Sequence, residues 1–283
     1  IQLIYINVSI FIIGTLINVF LQLFQHSIPD IFGIFALPAS FIRFFHQPWS
    51  IITYMFMHAG LLHILFNMLW LYWFGSLFLH FFSAKHLRGL YILGGILGGL
   101  LYMVAYNVFP LFNQEVAVST LVGASASVLA IVAATAYREP NYRVQLFLFG
   151  AIRLKYLALV VIGIDVLSIT SSNAGGHIAH LGGALAGLWF AASLSKGTDL
   201  TSWINWILDG FASLFQKKTW KRKPKMKVHY GNSATGREKD YDYNAHKKAQ
   251  SDEVDRILEK LKKSGYDSLT TEEKKSLFDA SKR

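Results

Sequence analysis

A few serine, histidine and asparagine side chains interrupt long apolar stretches of this 283-residue chain. Ser125 stands in the run Gly-Ala-Ser-Ala, and His63 and Asn67 are spaced i, i+4, so they share one face of a helix. His180 stands in a third stretch. Serine becomes a useful nucleophile only when a base takes its proton, and histidine suits that role because its pKa lies near neutrality. These residue types together predict a site for acyl transfer.

Acyl transfer also needs hydrogen-bond donors for the oxyanion of the tetrahedral intermediate. His63, Asn67 and the backbone N–H of Ser125 can supply them, and the positive end of a helix that begins near Ser125 adds to the field. We find no acidic residue placed to complete a triad, so a Ser125/His180 dyad is the simpler prediction. Asp165 lies inside another apolar stretch, and we interpret it as a polar anchor that faces the helix bundle.

The stretches that carry these residues are long enough to cross a membrane. Hydrophobic residues make up 53% of the chain and charged residues 16%, which excludes a disordered chain and an ordinary soluble enzyme. A spanning helix needs about 20 mostly apolar residues. Six stretches qualify or nearly do, at about 3–24, 61–80, 89–109, 122–137, 154–171 and 177–195. We therefore predict an all-α, polytopic bundle of six transmembrane helices.

The first span lacks a basic leader and an A-x-A site, so we predict a retained span rather than a signal peptide. The chain opens on Ile1 instead of Met, and we expect that an upstream piece is missing. Basic residues mark one side of the membrane, because Arg43 alone lies in the opposite loops, whereas the loops after the second and fourth spans hold Lys85, Arg88, Arg138 and Arg143. The positive-inside rule then predicts a multi-pass protein of the cell membrane with both termini in the cytoplasm.

Two spans have features that would bring Ser125 and His180 together. The fourth span has about 16 residues, or about 24 Å of helix, so its outer end starts below the membrane surface. Non-helical backbone at that depth must line a water-filled cavity or be buried in protein, and Ser125 lies there. In the sixth span, Gly183 and Gly187 form a small-x-x-x-small stripe that lets another helix approach closely. The fourth span is the candidate partner, which would place its side chains against His180.

The three motifs resemble those of the rhomboid intramembrane serine proteases, and the resemblance covers residues 1–196. This chain has His63-Ile-Leu-Phe-Asn67 in the second span, Gly123-Ala-Ser125-Ala126 in the fourth and Ala179-His180-Leu-Gly-Gly183-Ala-Leu-Ala-Gly187 in the sixth. The resemblance implies that Ser125 is the nucleophile and His180 the general base. It also implies an oxyanion hole made of His63, Asn67 and the Ser125 amide. The outward loop of about residues 25–60, with Pro48-Trp49, resembles the family's first loop, which lies partly in the membrane.

Two positions depart from the family pattern. Ala126 replaces the glycine that follows the serine, and Leu129 stands where an aromatic residue often packs against the catalytic histidine. Ser127 is the rival nucleophile and His177 the rival base. The expected supporting residues are His58, Gly123, Gly183 and Gly187.

We expect no metal and no cofactor. The chain has no cysteine, and His58, His63, His177 and His180 come with no carboxylate or H-E-x-x-H helix. The resemblance implies an endopeptidase that cleaves transmembrane protein substrates within or near their membrane segment. The alternatives are a catalytically inactive relative that binds and routes membrane proteins and, further off, a channel or transporter.

A polar, basic tail follows the membrane core of residues 1–196. We predict an interfacial helix and basic juxtamembrane segment over 197–228, a flexible linker over 229–250 and a small cytoplasmic helical hairpin over 251–283. Lys217–Lys227 holds seven basic residues among eleven and is expected to bind anionic lipid headgroups rather than nucleic acid. The sequence leaves the oligomeric state open.

Overall fold

The computed structural model describes residues 1–24, 31–146, 150–215 and 233–281. The predicted lipid-binding segment Lys217–Lys227 lies outside these residues, as does 25–30 of the outward loop. The helices are α1 (Gln2–Leu23), α2 (Ile31–Phe35), α3 (Phe41–His46), α4 (Ser50–Thr53), α5 (Leu61–Phe78), α6 (Ala84–Val108), α7 (Ser125–Arg138), α8 (Leu154–Leu167), α9 (Ala174–Ser195), α10 (Ser202–Phe215), α11 (Ser233–Ser264) and α12 (Thr271–Ser281). Short 3-10 turns occur at Tyr54–Phe56, Pro110–Phe112 and Tyr266–Ser268, and the short strands are β1 (Leu37–Pro38), β2 (Thr120–Leu121), β3 (Arg143–Leu146) and β4 (Gly150–Arg153).

Each of the six predicted spans contains a helix. Among the described residues, α1, α5, α6 and α9 are long and apolar enough to cross a membrane, and α7 is a shorter apolar helix. Both α7 and α8 have 14 residues, which is about 21 Å of helix. The predicted all-α membrane bundle is therefore confirmed, while the count of six spans stays a prediction.

The centre of the bundle is the contact of α7 with α9 and α6. A Cβ atom on Gly183 would lie 2.0 Å from the Ala126 carbonyl oxygen, and one on Gly187 would lie 2.1 Å from that of Ala130. The glycine stripe of α9 therefore touches the α7 backbone, as the spacing predicts. In lipid such contacts act through van der Waals packing rather than through the hydrophobic effect, so close approach is what stabilises this pair.

The outer segment before α5 fixes the chain that leads into α7. Strand β1 pairs antiparallel with β2, with Leu37 opposite Leu121. The Gly123 N–H donates to the Tyr54 carbonyl oxygen at 3.0 Å. These bonds satisfy backbone groups at the predicted depth of Ser125, where non-helical backbone must find partners inside the protein.

Helix α10 covers the residues predicted to form an interfacial helix. It contacts α6 through Asn205, whose Oδ1 accepts from Arg88 Nε at 2.6 Å. Its apolar face is open, and Trp206 is 78% exposed. This amphipathic pattern is typical of a helix in the membrane interface, which stays a prediction for α10.

Residues 218–283 form a separate compact unit, described here by itself. The predicted capping box is present, because the Glu273 N–H donates to Thr270 Oγ1 and the Thr270 N–H donates to Glu273 Oε2. The linker prediction for 229–250 is wrong over 233–250, since α11 already begins at Ser233. The alanine, lysine, glutamate and glutamine of this stretch are good helix formers even though few apolar residues mark a buried face.

Candidate active site

Ser125 is the first residue of α7, and a backbone turn at Gly123 leads into it. Gly123 has φ +128°, a value that side-chain-bearing residues rarely adopt, and a Cβ atom at this position would lie 2.9 Å from His63 Nε2. The glycine is therefore required both for the turn and for the closeness of His63. The first N–H groups of a helix have no intrahelical acceptor, so the Ser125 amide is free to bind a ligand oxygen.

Ser125 shares one cavity of about 200 Å³ with two of the other predicted site residues. The polar lining residues are Ser125, Asn67 and His180, from α7, α5 and α9. The apolar lining residues are Phe66, Trp70, Val128, Leu129 and Val161. The structure therefore brings the predicted nucleophile, base and one oxyanion donor to a single apolar-walled opening.

His63 points a hydrogen-bond donor toward the start of α7. Its Nδ1 accepts from the Ala59 N–H at 3.3 Å, so in the neutral ring the proton is on Nε2. Nε2 is the atom next to Gly123. Asn67 Nδ2 donates to the His63 carbonyl oxygen at 2.8 Å, which leaves its second hydrogen for the cavity. Both side chains can therefore donate to an oxyanion beside Ser125.

Asp165 corrects the prediction that no acidic residue accompanies the histidine base. Its Oδ1 lies 2.8 Å from His180 Nδ1 and 2.8 Å from His177 Nδ1. The carboxylate is only 4% exposed, so Asp165 does face the bundle, as expected for an anchor. The missed signal was the aspartate itself, because an ionisable residue inside a span marks a functional site by default. The contact also answers what orients His180 in the absence of an aromatic residue at Leu129.

The two histidines of α9 differ in what they face. Both use Nδ1 to contact Asp165, but His180 lines the cavity with Ser125, whereas His177 is not part of that lining. Because Asp165 occupies Nδ1, the Nε2 atom of His180 is the one left for Ser125. The geometry favours His180 over His177 as the partner of the serine.

Two features of the sequence depend on the side of α7 that packs against α6. One is the rival nucleophile Ser127, and the other is Ala126 in the position where the family has glycine. Ser127 is completely buried, and its Oγ has no hydrogen-bond partner among the described residues. Ala126 fits because Gly98 faces it, where an added Cβ would lie 2.7 Å from the Ala126 methyl group. A glycine is thus present in this contact, but on α6 instead of α7.

His58 contacts the site indirectly. Its ring meets the His63 ring edge-on, with centroids 5.2 Å apart. It does not cap α5, whose N-cap is Gly60, and its two ring nitrogens have no hydrogen-bond partner within the described residues. Support of His63 by packing of the His58 ring therefore stays a prediction.

The expectation that no metal binds must be compared with the cluster of Asp165, His177 and His180. Their ligand atoms all lie within 4.8 Å of one another. The expectation assumed that the histidines come with no carboxylate, and Asp165 supplies one.

Comparison with known proteins gives one family for the membrane core and one for the tail. The Rhomboid domain family matches residues 46–197, and a family of unknown function, DUF6576, matches 237–283. RHOMBOID-like protein 12, mitochondrial, of Arabidopsis thaliana is 29% identical over 157 residues, which are 52% of this chain and 47% of that protein. Presenilin-associated rhomboid-like protein A, mitochondrial, of Danio rerio is 30% identical over 139 residues, 48% of this chain and 34% of that protein. The chain spans less than half the length of these two relatives.

Proposed function

The chain belongs to the rhomboid family, and from this we propose that it is an intramembrane serine endopeptidase. It hydrolyses a peptide bond of a membrane-anchored protein within or near the transmembrane segment. The observation that carries the proposal is the single cavity lined by Ser125, His180 and Asn67 at the start of α7.

Ser125 attacks the scissile carbonyl carbon while His180 Nε2 takes the hydroxyl proton. The tetrahedral intermediate collapses, the C–N bond breaks and His180 returns the proton to the leaving amine. Water then attacks the acyl-enzyme with His180 as the base, the ester C–O bond breaks, and His180 returns the proton to Ser125 Oγ as the carboxylic acid product leaves. Asp165 acts as a positioning residue, since its Oδ1 holds the Nδ1–H of His180 and favours the imidazolium that forms.

The oxyanion receives hydrogen bonds from the Ser125 N–H, from His63 Nε2–H and from Asn67 Nδ2–H. The N-terminal end of α7 adds a positive potential at the same point. Apolar walls exclude most water from this cavity, which strengthens each of these interactions. The rate advantage of the site therefore depends on donors that are in place before the substrate arrives.

The substrate and the setting follow from the membrane core. A substrate helix must unwind near the cut, which small residues permit, and water enters from the outer side above α7. The apolar helices place the protein in a membrane. The distribution of basic residues favours a cell membrane with both termini in the cytoplasm. Because both relatives are named as mitochondrial, a mitochondrial membrane is the second candidate. Lys217–Lys227 binds anionic headgroups on the inner face.

The decisive experiment compares Ser125→Ala with its matched control Ser127→Ala in the purified full chain. Ser127 is two residues along the same helix, and its hydroxyl is buried away from the cavity. We expect Ser125→Ala to lose cleavage of a model transmembrane substrate by about 10⁴-fold or more, and to lose labelling by a fluorophosphonate. Ser127→Ala keeps both. Labelling that survives Ser125→Ala rules out the assignment of the nucleophile.

A second pair of variants tests the base. His180→Ala should abolish turnover, whereas His177→Ala should leave it within about threefold, because His180 alone lines the cavity. The reverse result would make His177 the base. A protein that binds membrane proteins but neither cleaves nor labels would be the inactive relative, and solute flux without proteolysis would indicate a transporter.

A further inference from the structure

Two imidazole nitrogens and a carboxylate oxygen converge beside the cavity. Asp165 Oδ1 is 2.8 Å from Nδ1 of both His177 and His180, and the three ligand atoms lie within 4.8 Å of one another. We propose that these side chains bind a divalent transition-metal ion such as Zn²⁺, and that the ion inhibits the enzyme. Metal binding does not depend on the proposed function, whereas inhibition of the enzyme rests on it.

The donor set and its spacing fit such an ion. Zn²⁺ binds imidazole nitrogen and carboxylate oxygen at about 2.0–2.1 Å, so tetrahedral ligand atoms lie roughly 3.3 Å apart. To admit it, the carboxylate would move a few tenths of an ångström away from each ring, and the two Nδ1 atoms, which lie within 4.8 Å of each other, would adjust towards roughly 3.3 Å. Imidazole favours Zn²⁺, Co²⁺ and Cu²⁺, whereas Mg²⁺ and Ca²⁺ prefer oxygen ligands.

A second observation at this carboxylate points to a cation. Oδ2 of Asp165 is buried and has no hydrogen-bond partner among the described residues. A buried carboxylate oxygen without a partner is costly, and a bound cation would satisfy it. The side chains of His177 and His180 are 20% and 22% exposed, so an ion can reach their nitrogens from outside the protein. Asp165 is 4% exposed and forms the buried side of the site.

The helices hold the ligands in place. His177 and His180 are one turn apart on the same face of α9, which Gly183 and Gly187 clamp against α7. Asp165 projects from α8 near its C-terminal end. Three protein ligands leave a fourth tetrahedral position for water, the arrangement of open zinc sites.

Metal binding would disable His180 through its proton. With the ion on Nδ1, the remaining proton of the neutral ring is on Nε2, the atom left for Ser125. Nε2 then donates a hydrogen bond and has no lone pair to accept the serine proton. The single proton of each neutral ring leaves Nδ1, where Asp165 accepts its hydrogen bond, and exchanges through water to Nε2, so each ring stays neutral.

The binding test uses the full-length Ser125→Ala protein, stripped of metal in detergent, with Co²⁺ as the probe. We expect the visible absorption of four-coordinate Co²⁺ at one ion per chain, displaced by Zn²⁺. His177→Ala and Asp165→Asn should each weaken Co²⁺ binding by about 100-fold or more, while the matched control His58→Ala keeps it. Absence of the band, or a band of equal affinity in both ligand variants, overturns the site.

The activity test uses the chain with Ser125 intact. Zn²⁺ should inhibit substrate cleavage by wild type, and EDTA should reverse the inhibition. His177→Ala, active in EDTA, should need at least about 100-fold more Zn²⁺ for the same inhibition. Equal inhibition of wild type and His177→Ala overturns the regulatory half. If no form cleaves any substrate, the proposed function fails while the Co²⁺ measurement still decides the metal site.

Discussion

Replacement of Asp165 by Asn tests the part of the site that the sequence missed. The change keeps the size of the side chain but removes the charge that His180 Nδ1–H contacts at 2.8 Å. A hydrogen bond to a charged group contributes about 1.5–3 kcal/mol, and 1.36 kcal/mol corresponds to a factor of ten in rate. The contact strengthens when His180 becomes an imidazolium, so kcat should fall roughly 10- to 150-fold. KM should stay unchanged, because Asp165 does not line the cavity.

The assay is steady-state cleavage of a transmembrane substrate in EDTA, with fluorophosphonate labelling as a second readout of the same serine. His177→Ala is the matched control, because it removes the other ring on Oδ1 and leaves the carboxylate on His180. Thermal unfolding in detergent checks that each variant folds. A kcat within twofold of wild type in folded Asp165→Asn, or a loss confined to KM, would refute the positioning role.

Two other predictions concern packing and the tail. Gly183→Ala places a methyl group 2.0 Å from the Ala126 carbonyl oxygen and should destabilise the bundle by about 1–3 kcal/mol, measured by thermal unfolding. The control is Gly163→Ala, whose methyl group meets nothing within 4 Å and should leave the stability of the bundle unchanged. The Thr270 N–H and the Lys260 ammonium lower the pKa of Glu273 from 4.5 to about 2. The ionised Glu273 carboxylate therefore stabilises the helical hairpin above pH 4.5, and this contribution is lost as the pH falls towards 2. NMR titration of the carboxyl groups in wild type and Glu273→Gln will check the pKa.

Local pattern was enough to predict the membrane helices, and together with the family resemblance it singled out Ser125 as the candidate nucleophile. Runs of apolar residues predict helices at 61–80 and 177–195, and the structure has α5 and α9 there. The stripe of Gly183 and Gly187 predicts the close contact with α7, because small residues four apart make one flat face. Helix propensity outweighed the polar composition of 233–250, so the extent of α11 was missed.

The sequence by itself determined where the membrane helices lie and which side chains could react, since helical spacing places His63 and Asn67, or His180 and Gly183, on one face. Only the tertiary structure decided that Asp165 meets His180, that Ser127 turns into the α6 contact and that Gly98 makes room for Ala126. These contacts join residues of different helices. Their distances depend on how α6, α8 and α9 pack around α7, which no spacing within a single helix encodes.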